Sequence, residues 1–231
     1  MRLLAIETAT EACSVALLDG DLVLARHELA PRGHAQRVLP WAEALLAEAG
    51  LSRRALDGIA VSTGPGAFTG VRLGLSLAQG LALALDRPLL GVSTLAVLAL
   101  RADAGEGGQV LAAIDARMGE VYHGAFRIQE GLPRALASEQ VQAPDRVELA
   151  GGGWHGVGTG LAAADGALAT RLGGQMASVD AQALPAAADL LRLAVDGFRN
   201  GQGVAPEQVQ PTYLRNNVAL TLVEQQALRK R

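Results

Sequence analysis

The chain of 231 residues contains few aromatic residues, one cysteine and almost no lysine. Only 3% of the residues are aromatic although half are hydrophobic, so the core must be built from aliphatic side chains and alanine. Because Cys13 is the single cysteine, an internal disulfide is excluded, which is typical of a reducing compartment. Of the 20 lysines and arginines only Lys230 is a lysine. This leaves no plausible phosphate-loop or Schiff-base lysine.

Strong charge and targeting segments are also missing from the sequence. The formal net charge is −3, and the only run of like charge is 229–231, too short for a nucleic-acid arm. The N-terminal stretch reaches Glu7 too early for a signal peptide, and no run of 18 apolar residues occurs. We therefore expect a soluble cytoplasmic protein that neither binds RNA alone nor contacts a membrane.

The residues that usually carry metal or nucleophilic chemistry are scattered. His27, His34, His123 and His155 include no pair spaced three or four residues apart, and no Cys/His cluster exists. No serine lies in a G-x-S-x-G motif, and Cys13 has no histidine nearby in sequence. We expect no metal, no cofactor and no catalytic residue in this chain.

Hydrophobic periodicity and turn residues predict an α/β protein of two domains. Predicted strands cover 2–8, 12–18, 22–29, 58–62 and 88–92, and predicted helices cover 34–49, 69–85 and 94–101. This order indicates a mixed sheet with an antiparallel start and crossover helices.

The glycine-rich stretch after Ala104 is the best domain boundary. Beyond it, strands at 110–115 and 120–127 form a second antiparallel pair, 129–183 is weakly patterned, and Pro185 introduces a helix that extends to about Phe198. The predicted organisation is an N-terminal domain 1–104, a smaller C-terminal α/β domain 108–212 and a tail 213–231.

The helix 69–85 is apolar on nearly every side and carries a stripe of small residues. Gly70, Gly74, Ala78 and Ala82 recur every four residues, and glycine inside a helix costs about 1 kcal/mol relative to alanine. Its length of about 17 residues and its Arg and Gln argue against a membrane span. Two interpretations stay open: a helix buried in the core of this chain, or a helix whose outer face docks a second chain.

On the docking hypothesis, the partner surface comprises the outer faces of the helices 34–49 and 69–85. Its candidate residues are Gly66, Phe68, Thr69, Gly70, Arg72, Leu73, Gly74, Leu77, Ala78 and Leu81, together with His34, Val38 and Trp41.

Two turns carry polar residues that suggest a site. The turn 64–66 precedes a helix N-terminus, but Pro65 lacks an N–H group, so a turn for tight packing is favoured over an anion site. Asp115, Arg117 and Glu120 surround one sharp turn. They form either a locally ion-paired hairpin or a polar ledge that faces the cleft between the domains. In the second case Arg117 holds the domains at a fixed angle through carboxylates.

Four ordered motifs resemble the TsaB (YeaZ) family, a bacterial subunit of the machinery that makes threonylcarbamoyladenosine in tRNA. They are 6–16 (IETATEACSVA), 64–72 (GPGAFTGVR), 112–122 (AAIDARMGEVY) and 213–217 (YLRNN). The resemblance covers nearly the whole chain and is weakest over 129–183. It implies a two-domain actin-like ATPase (ASKHA) fold, each domain a mixed sheet flanked by helices.

The resemblance also implies a function and its partners. A TsaB-type chain is a non-catalytic scaffold that forms a heterodimer with TsaD and works with the P-loop ATPase TsaE. Together they transfer a threonylcarbamoyl group from its adenylate to N6 of adenosine 37 in tRNAs that read codons beginning with A. The tRNA is reached through the complex, and the chain alone can form a homodimer.

An actin-like fold places its first phosphate loop after the first strand, at Glu7, Thr8 and Thr10. The loop is degenerate here, because Glu7 replaces the aspartate usual at this place. The TsaD-type paired histidines are missing too. The alternative is an autonomous enzyme of the same fold, either a kinase or ATPase, or an M22-type glycoprotease.

Overall fold

A computed structural model describes residues 1–215, and its first sheet has five strands in the order β3-β2-β1-β4-β5. These strands are β1 (Arg2–Glu7), β2 (Ala12–Asp19), β3 (Leu22–Leu29), β4 (Gly58–Ser62) and β5 (Leu89–Val92). Strand β1 pairs antiparallel with β2 and parallel with β4. The predicted mixed sheet with an antiparallel start is therefore confirmed.

Helices cover both faces of the first sheet, which explains why β1 is buried throughout after Arg2. On one face lie α1 (His34–Glu48) and α2 (Phe68–Leu85), packed with Leu4 and Ile6 of β1. On the other face lies α5 (Ala187–Arg199), packed with Leu3 and Ala5.

The second sheet has the order β11-β10-β6-β7-β8, and a short strand β9 pairs with β7. Its strands are β6 (Gln109–Arg117), β7 (Glu120–Gln129), β8 (Leu132–Ala135), β9 (Gln140–Gln142), β10 (Trp154–Val157) and β11 (Met176–Asp180). The weakly patterned stretch 129–183 thus supplies four strands and one helix, α4 (Ala163–Leu172). Helix α4 packs on one face of this sheet and α3 (Thr94–Ala99) on the other.

Two helices pack against the sheet on the far side of the sequence boundary at 104–108. Helix α3 precedes the boundary but joins the core of the second sheet through Leu95 and Leu98. Helix α5 follows it but joins the core of the first sheet through Leu190 and Ala194. This differs from the continuous segments 1–104 and 108–212, since loop composition indicates where strands begin but not which sheet a helix covers. We call the first sheet with α1, α2 and α5 the first unit, and the second sheet with α3 and α4 the second unit.

Helix bounds agree closely with the sequence predictions. The predicted helix 34–49 is His34–Glu48, and 69–85 is Phe68–Leu85. The Ser93 side chain caps α3 by accepting hydrogen bonds from the N–H groups of Leu95 and Ala96. The helix expected to begin at Pro185 begins two residues later, at Ala187.

Candidate functional site

The stripe of small residues on α2 lies inside this chain. Gly70, Gly74, Ala78 and Ala82 are all buried. A Cβ added at Gly70 would lie 2.1 Å from the carbonyl oxygen of Thr8, and one added at Gly74 would lie 2.3 Å from Thr8 Oγ1. The small residues therefore allow α2 to rest directly on the loop between β1 and β2.

This packing corrects part of the docking hypothesis. Gly70, Gly74 and Ala78 do not reach the surface, and Gly66 contacts the loop as well, since an added Cβ would lie 2.3 Å from Ala9 O. Helical periodicity gave the stripe correctly but did not say which side of the helix faces the core.

The candidate residues on α1 also point inward. His34 is buried, and its Nε2 lies 3.1 Å from Thr10 O and 3.2 Å from Ala12 O. Because carbonyl oxygens only accept hydrogen bonds, this nitrogen carries the hydrogen. Val38 is fully buried, and Trp41 packs partly buried against the same core. These residues support the loop and the core instead of a partner surface.

An apolar surface nevertheless remains on the outer sides of α1 and α2. Six of the 18 residues of α2 are buried. Its leucines at 73, 77 and 81 are half-buried, and Leu39 of α1 and Leu83 of α2, which were not predicted for the partner surface, are exposed. We call this surface the α1/α2 face; its members are Leu39, Leu73, Leu77, Leu81 and Leu83. Leu83 is 60% exposed and Leu39 is 38% exposed. Large apolar side chains exposed on the outer sides of a helix pair are typical of interaction sites.

A small cleft between the helices continues this face. Its volume is about 130 Å³, and Leu39, Leu81 and Leu85 line it with other apolar side chains. An ion pair between Arg53 and Glu43, both among its lining residues, gives it a polar edge. The cleft has the size to receive one apolar side chain.

Helix α2 is long and apolar enough to cross a membrane by length and composition alone. Its Gly/Ala stripe, however, packs in the core of an α/β unit against β1 and β4. The exposed leucines are therefore the remaining apolar surface of a helix that belongs to the domain core.

The candidate phosphate loop is filled by its own side chains. Glu7 is fully buried, and its carboxylate accepts hydrogen bonds from Ala9 N at 2.7 Å and from the Ser62 hydroxyl. Burial raises the pKa of Glu7 to about 7, against the opposing effect of the hydrogen bond from Ser62. Thr8 Oγ1 donates to Gly70 O at 2.8 Å, and Thr10 Oγ1 accepts from Ala12 N, at the start of β2, at 3.4 Å. These groups serve packing between β1 and α2.

The turn at 115–120 is a tight hairpin between β6 and β7. Arg117, Met118 and Gly119 have positive φ angles of 63°, 57° and 75°. The Arg117 guanidinium pairs with Asp115 at 3.0 Å, and its side chain is 85% exposed. Arg117 is thus locally paired within the hairpin, and its expected role in holding the domains is not what the structure shows.

One contact between the two units is made by Arg215, which was not predicted as a site residue. Its guanidinium donates to the Glu120 carboxylate and to Arg117 O at 3.4 Å. The two partners are 95 residues apart in sequence, so no local pattern could have paired them.

Two of the few aromatic residues meet on the surface at the start of α2. Arg72 Nε donates to the Tyr213 hydroxyl at 2.7 Å, and the Arg72 guanidinium lies 3.6 Å from the centre of the Phe68 ring. Phe68 is 58% and Tyr213 50% exposed. Phe68 and Arg72 were predicted for the partner surface, whereas Tyr213 was not. The signal for Tyr213 in the sequence was that it is an aromatic residue in a chain that has few. Thr69, also selected, is exposed beside them.

Comparison with known proteins places these features in a family. A family model described as TsaD, tRNA N6-adenosine threonylcarbamoyltransferase, matches residues 26–221. The TsaB protein of Escherichia coli K12 is 45% identical over 95% of this chain and 96% of its own length. That of Haemophilus influenzae is 38% identical over 94% and 95%.

A solved structure agrees with these matches. The Pseudomonas aeruginosa protein described as similar to peptidase YeaZ is 48% identical, covers 93% of this chain and 99% of its own, and superposes with a TM-score of 0.86. The expected actin-like fold of two mixed α/β units is thereby confirmed. This chain belongs to the TsaB (YeaZ) family, whose named members are tRNA threonylcarbamoyladenosine biosynthesis proteins.

Proposed function

We propose that this protein is a non-catalytic scaffold subunit in the biosynthesis of threonylcarbamoyladenosine in tRNA, and that it binds a TsaD-type subunit through its α1/α2 face. The names of its relatives support the pathway. The observation that carries the scaffold role is the α1/α2 face itself, which is left without cover by residues 1–215. Full burial of an exposed leucine contributes about 1.5–3 kcal/mol, so covering Leu39 and Leu83, the two most exposed of the five, favours association.

The kinship between this chain and TsaD favours that partner. Because the TsaD family model matches residues 26–221, a TsaD-type subunit carries related elements. Two related helix pairs can pack face to face about an approximate two-fold axis, as in isologous dimers. The same geometry allows a homodimer when the TsaD-type subunit is absent.

In the complete system, the TsaD-type subunit catalyses transfer of the threonylcarbamoyl group from its adenylate to N6 of adenosine 37. A TsaE-type P-loop ATPase is the third component, and tRNA reaches this chain through the complex in the cytoplasm. This chain needs no cofactor of its own for that role.

The competing function is an autonomous kinase, ATPase or M22-type glycoprotease. Within residues 1–215, no group of three or more His, Cys, Asp or Glu side chains is placed to hold a metal ion. Glu7, the acid that the resemblance places at the phosphate loop, is buried and already hydrogen-bonded. An autonomous enzyme would hydrolyse ATP or cleave peptides without a partner. This activity would persist after repurification and would be lost in Glu7→Gln.

The proposal is tested by mixing the purified chain with the TsaD-type subunit of the same organism. We expect size-exclusion chromatography with light scattering to show a complex of one copy of each chain. Activity of the TsaD-type subunit with the TsaE-type ATPase on tRNA should depend on this complex. Separate elution of the two chains at micromolar concentration, with undiminished tRNA modification, would contradict the proposal.

A further inference from the structure

The segment 211–215 crosses from the first unit to the second on the α2 side of the molecule. It is anchored first to the end of β4, where Thr212 N donates to Thr63 O at 2.8 Å. Tyr213 then accepts the hydrogen bond from Arg72 near the start of α2 at 2.7 Å. Both contacts lie on the first unit.

The chain before this segment is also fixed on α2. The Gln79 side-chain amide donates to Pro206 O at 3.0 Å and to Val209 O at 3.1 Å. The Gln79 side chain therefore binds α2 to the stretch of chain that precedes the segment 211–215. Val209 is also buried in the core of the first unit, so the segment leaves the first unit from a defined position.

The end of the segment binds the second unit through one arginine. The Arg215 side chain is only 17% exposed, and it forms an ion pair with Glu120 at the start of β7. The same guanidinium contacts Arg117 O and lies 3.6 Å from Met118 Sδ. Charge-assisted hydrogen bonds that are largely shielded from water are the stronger kind.

The other ion pairs between the units lie on the α5 side. Arg134 of β8 pairs with Asp196 at 3.1 Å, and Arg101, just after α3, pairs with Asp189 at 3.4 Å. Helix α5 covers the face of the first sheet opposite α2. These two ion pairs lie on one side of the molecule, and the segment 211–215 joins the units on the other side, where it can resist their opening.

We propose that residues 211–215 act as a strap that fixes the angle between the two units, with Arg215 as its lock on Glu120. The proposal concerns the free chain and does not rest on binding to a TsaD-type subunit. It assigns the positioning role to Arg215 and leaves Arg117 as a local partner of Asp115.

The test measures the distance between the units in the full-length protein. Spin labels on cysteines introduced at Asp21, in the turn between β2 and β3, and at Ala137, between β8 and β9, report one exposed point in each unit. Cys13 is buried and stays unlabelled. Double electron–electron resonance then gives the distribution of distances between the labels.

In Arg215→Ala we expect a broader distribution with a new population at changed distance. The ratio of open to closed molecules should rise about tenfold, because one hydrogen bond to a charged group is lost. Arg117→Ala is the matched control and should leave the distribution as in the unsubstituted protein. Exchange of the two charges, Arg215→Glu with Glu120→Arg, should restore the narrow distribution.

The proposal is overturned if Arg215→Ala shows the distribution of the unsubstituted protein, or if Arg117→Ala broadens it equally. If Arg215→Ala does not fold, Glu120→Gln removes the same ion pair from the other side. An unchanged distribution in folded Glu120→Gln would then reject the strap.

Discussion

At the scale of single residues, Glu7 is the most unusual group in the described structure. Its carboxyl is completely buried, and burial raises its pKa from the usual 4.5 to about 7. In the unfolded chain the carboxyl ionises near its usual pKa. Between these two values the folded protein holds a proton that the unfolded chain has released. The contribution of Glu7 to stability therefore falls as pH rises through this interval, and its full cost is present above about pH 7.

Replacement of Glu7 by glutamine should remove this cost. A pKa shift of this size corresponds to about 3 kcal/mol. At about pH 8 the free energy of unfolding of Glu7→Gln should therefore exceed that of the unsubstituted protein by about this amount, and the variant should unfold at a higher urea concentration. Near pH 4.5 the advantage should largely disappear. Glu11→Gln, which alters an exposed acid of the same loop, is the control. An equal difference at both pH values would show that the Glu7 carboxyl does not titrate in this interval.

At the scale of elements, α2 shows how far a sequence pattern reaches. Its bounds and its stripe followed from periodicity, because apolar and small residues recur at fixed helical spacing. The sequence did not show that the stripe faces the interior, because this depends on the Thr8–Ala9 backbone, which the sheet places against it. The pairing of Arg215 with Glu120 was likewise unpredictable from one sequence, whereas the local Asp115–Arg117 pair was evident.

Two glycines of α2 test this account of its packing. Gly70→Ala places a Cβ against the backbone of Thr8, which cannot rotate away, so we expect a loss of about 1–3 kcal/mol in the free energy of unfolding. Gly80 is exposed with open space around it, so Gly80→Ala should gain up to about 1 kcal/mol through helix propensity. Urea unfolding measures the free energy of unfolding of both variants. Equal stability of the two variants would mean that α2 does not rest on the loop.

At the scale of the whole molecule, the α1/α2 face lies on the first of the two units. The α/β class and the first sheet were predicted from strand and helix patterns, and the family from four motifs. The exchange of α3 and α5 between the units was missed, because helices of similar amphipathic pattern do not reveal which sheet they cover. The α1/α2 face is the feature that joins this architecture to the proposed scaffold role.

The affinity of the TsaD-type subunit for two surface variants tests that role most directly. Leu83→Glu places a charge in the α1/α2 face, while Leu136→Glu alters a leucine of similar exposure, 44%, in the second unit. Both side chains are exposed, so both variants should fold.

Isothermal titration calorimetry should show binding weakened by about 30-fold or more in Leu83→Glu, as for a residue worth 2 kcal/mol at an interface. Leu136→Glu should bind as the unsubstituted protein does, and tRNA modification should follow the same order. Unchanged affinity of a folded Leu83→Glu variant, or equal loss in both variants, would contradict the α1/α2 face as the docking surface.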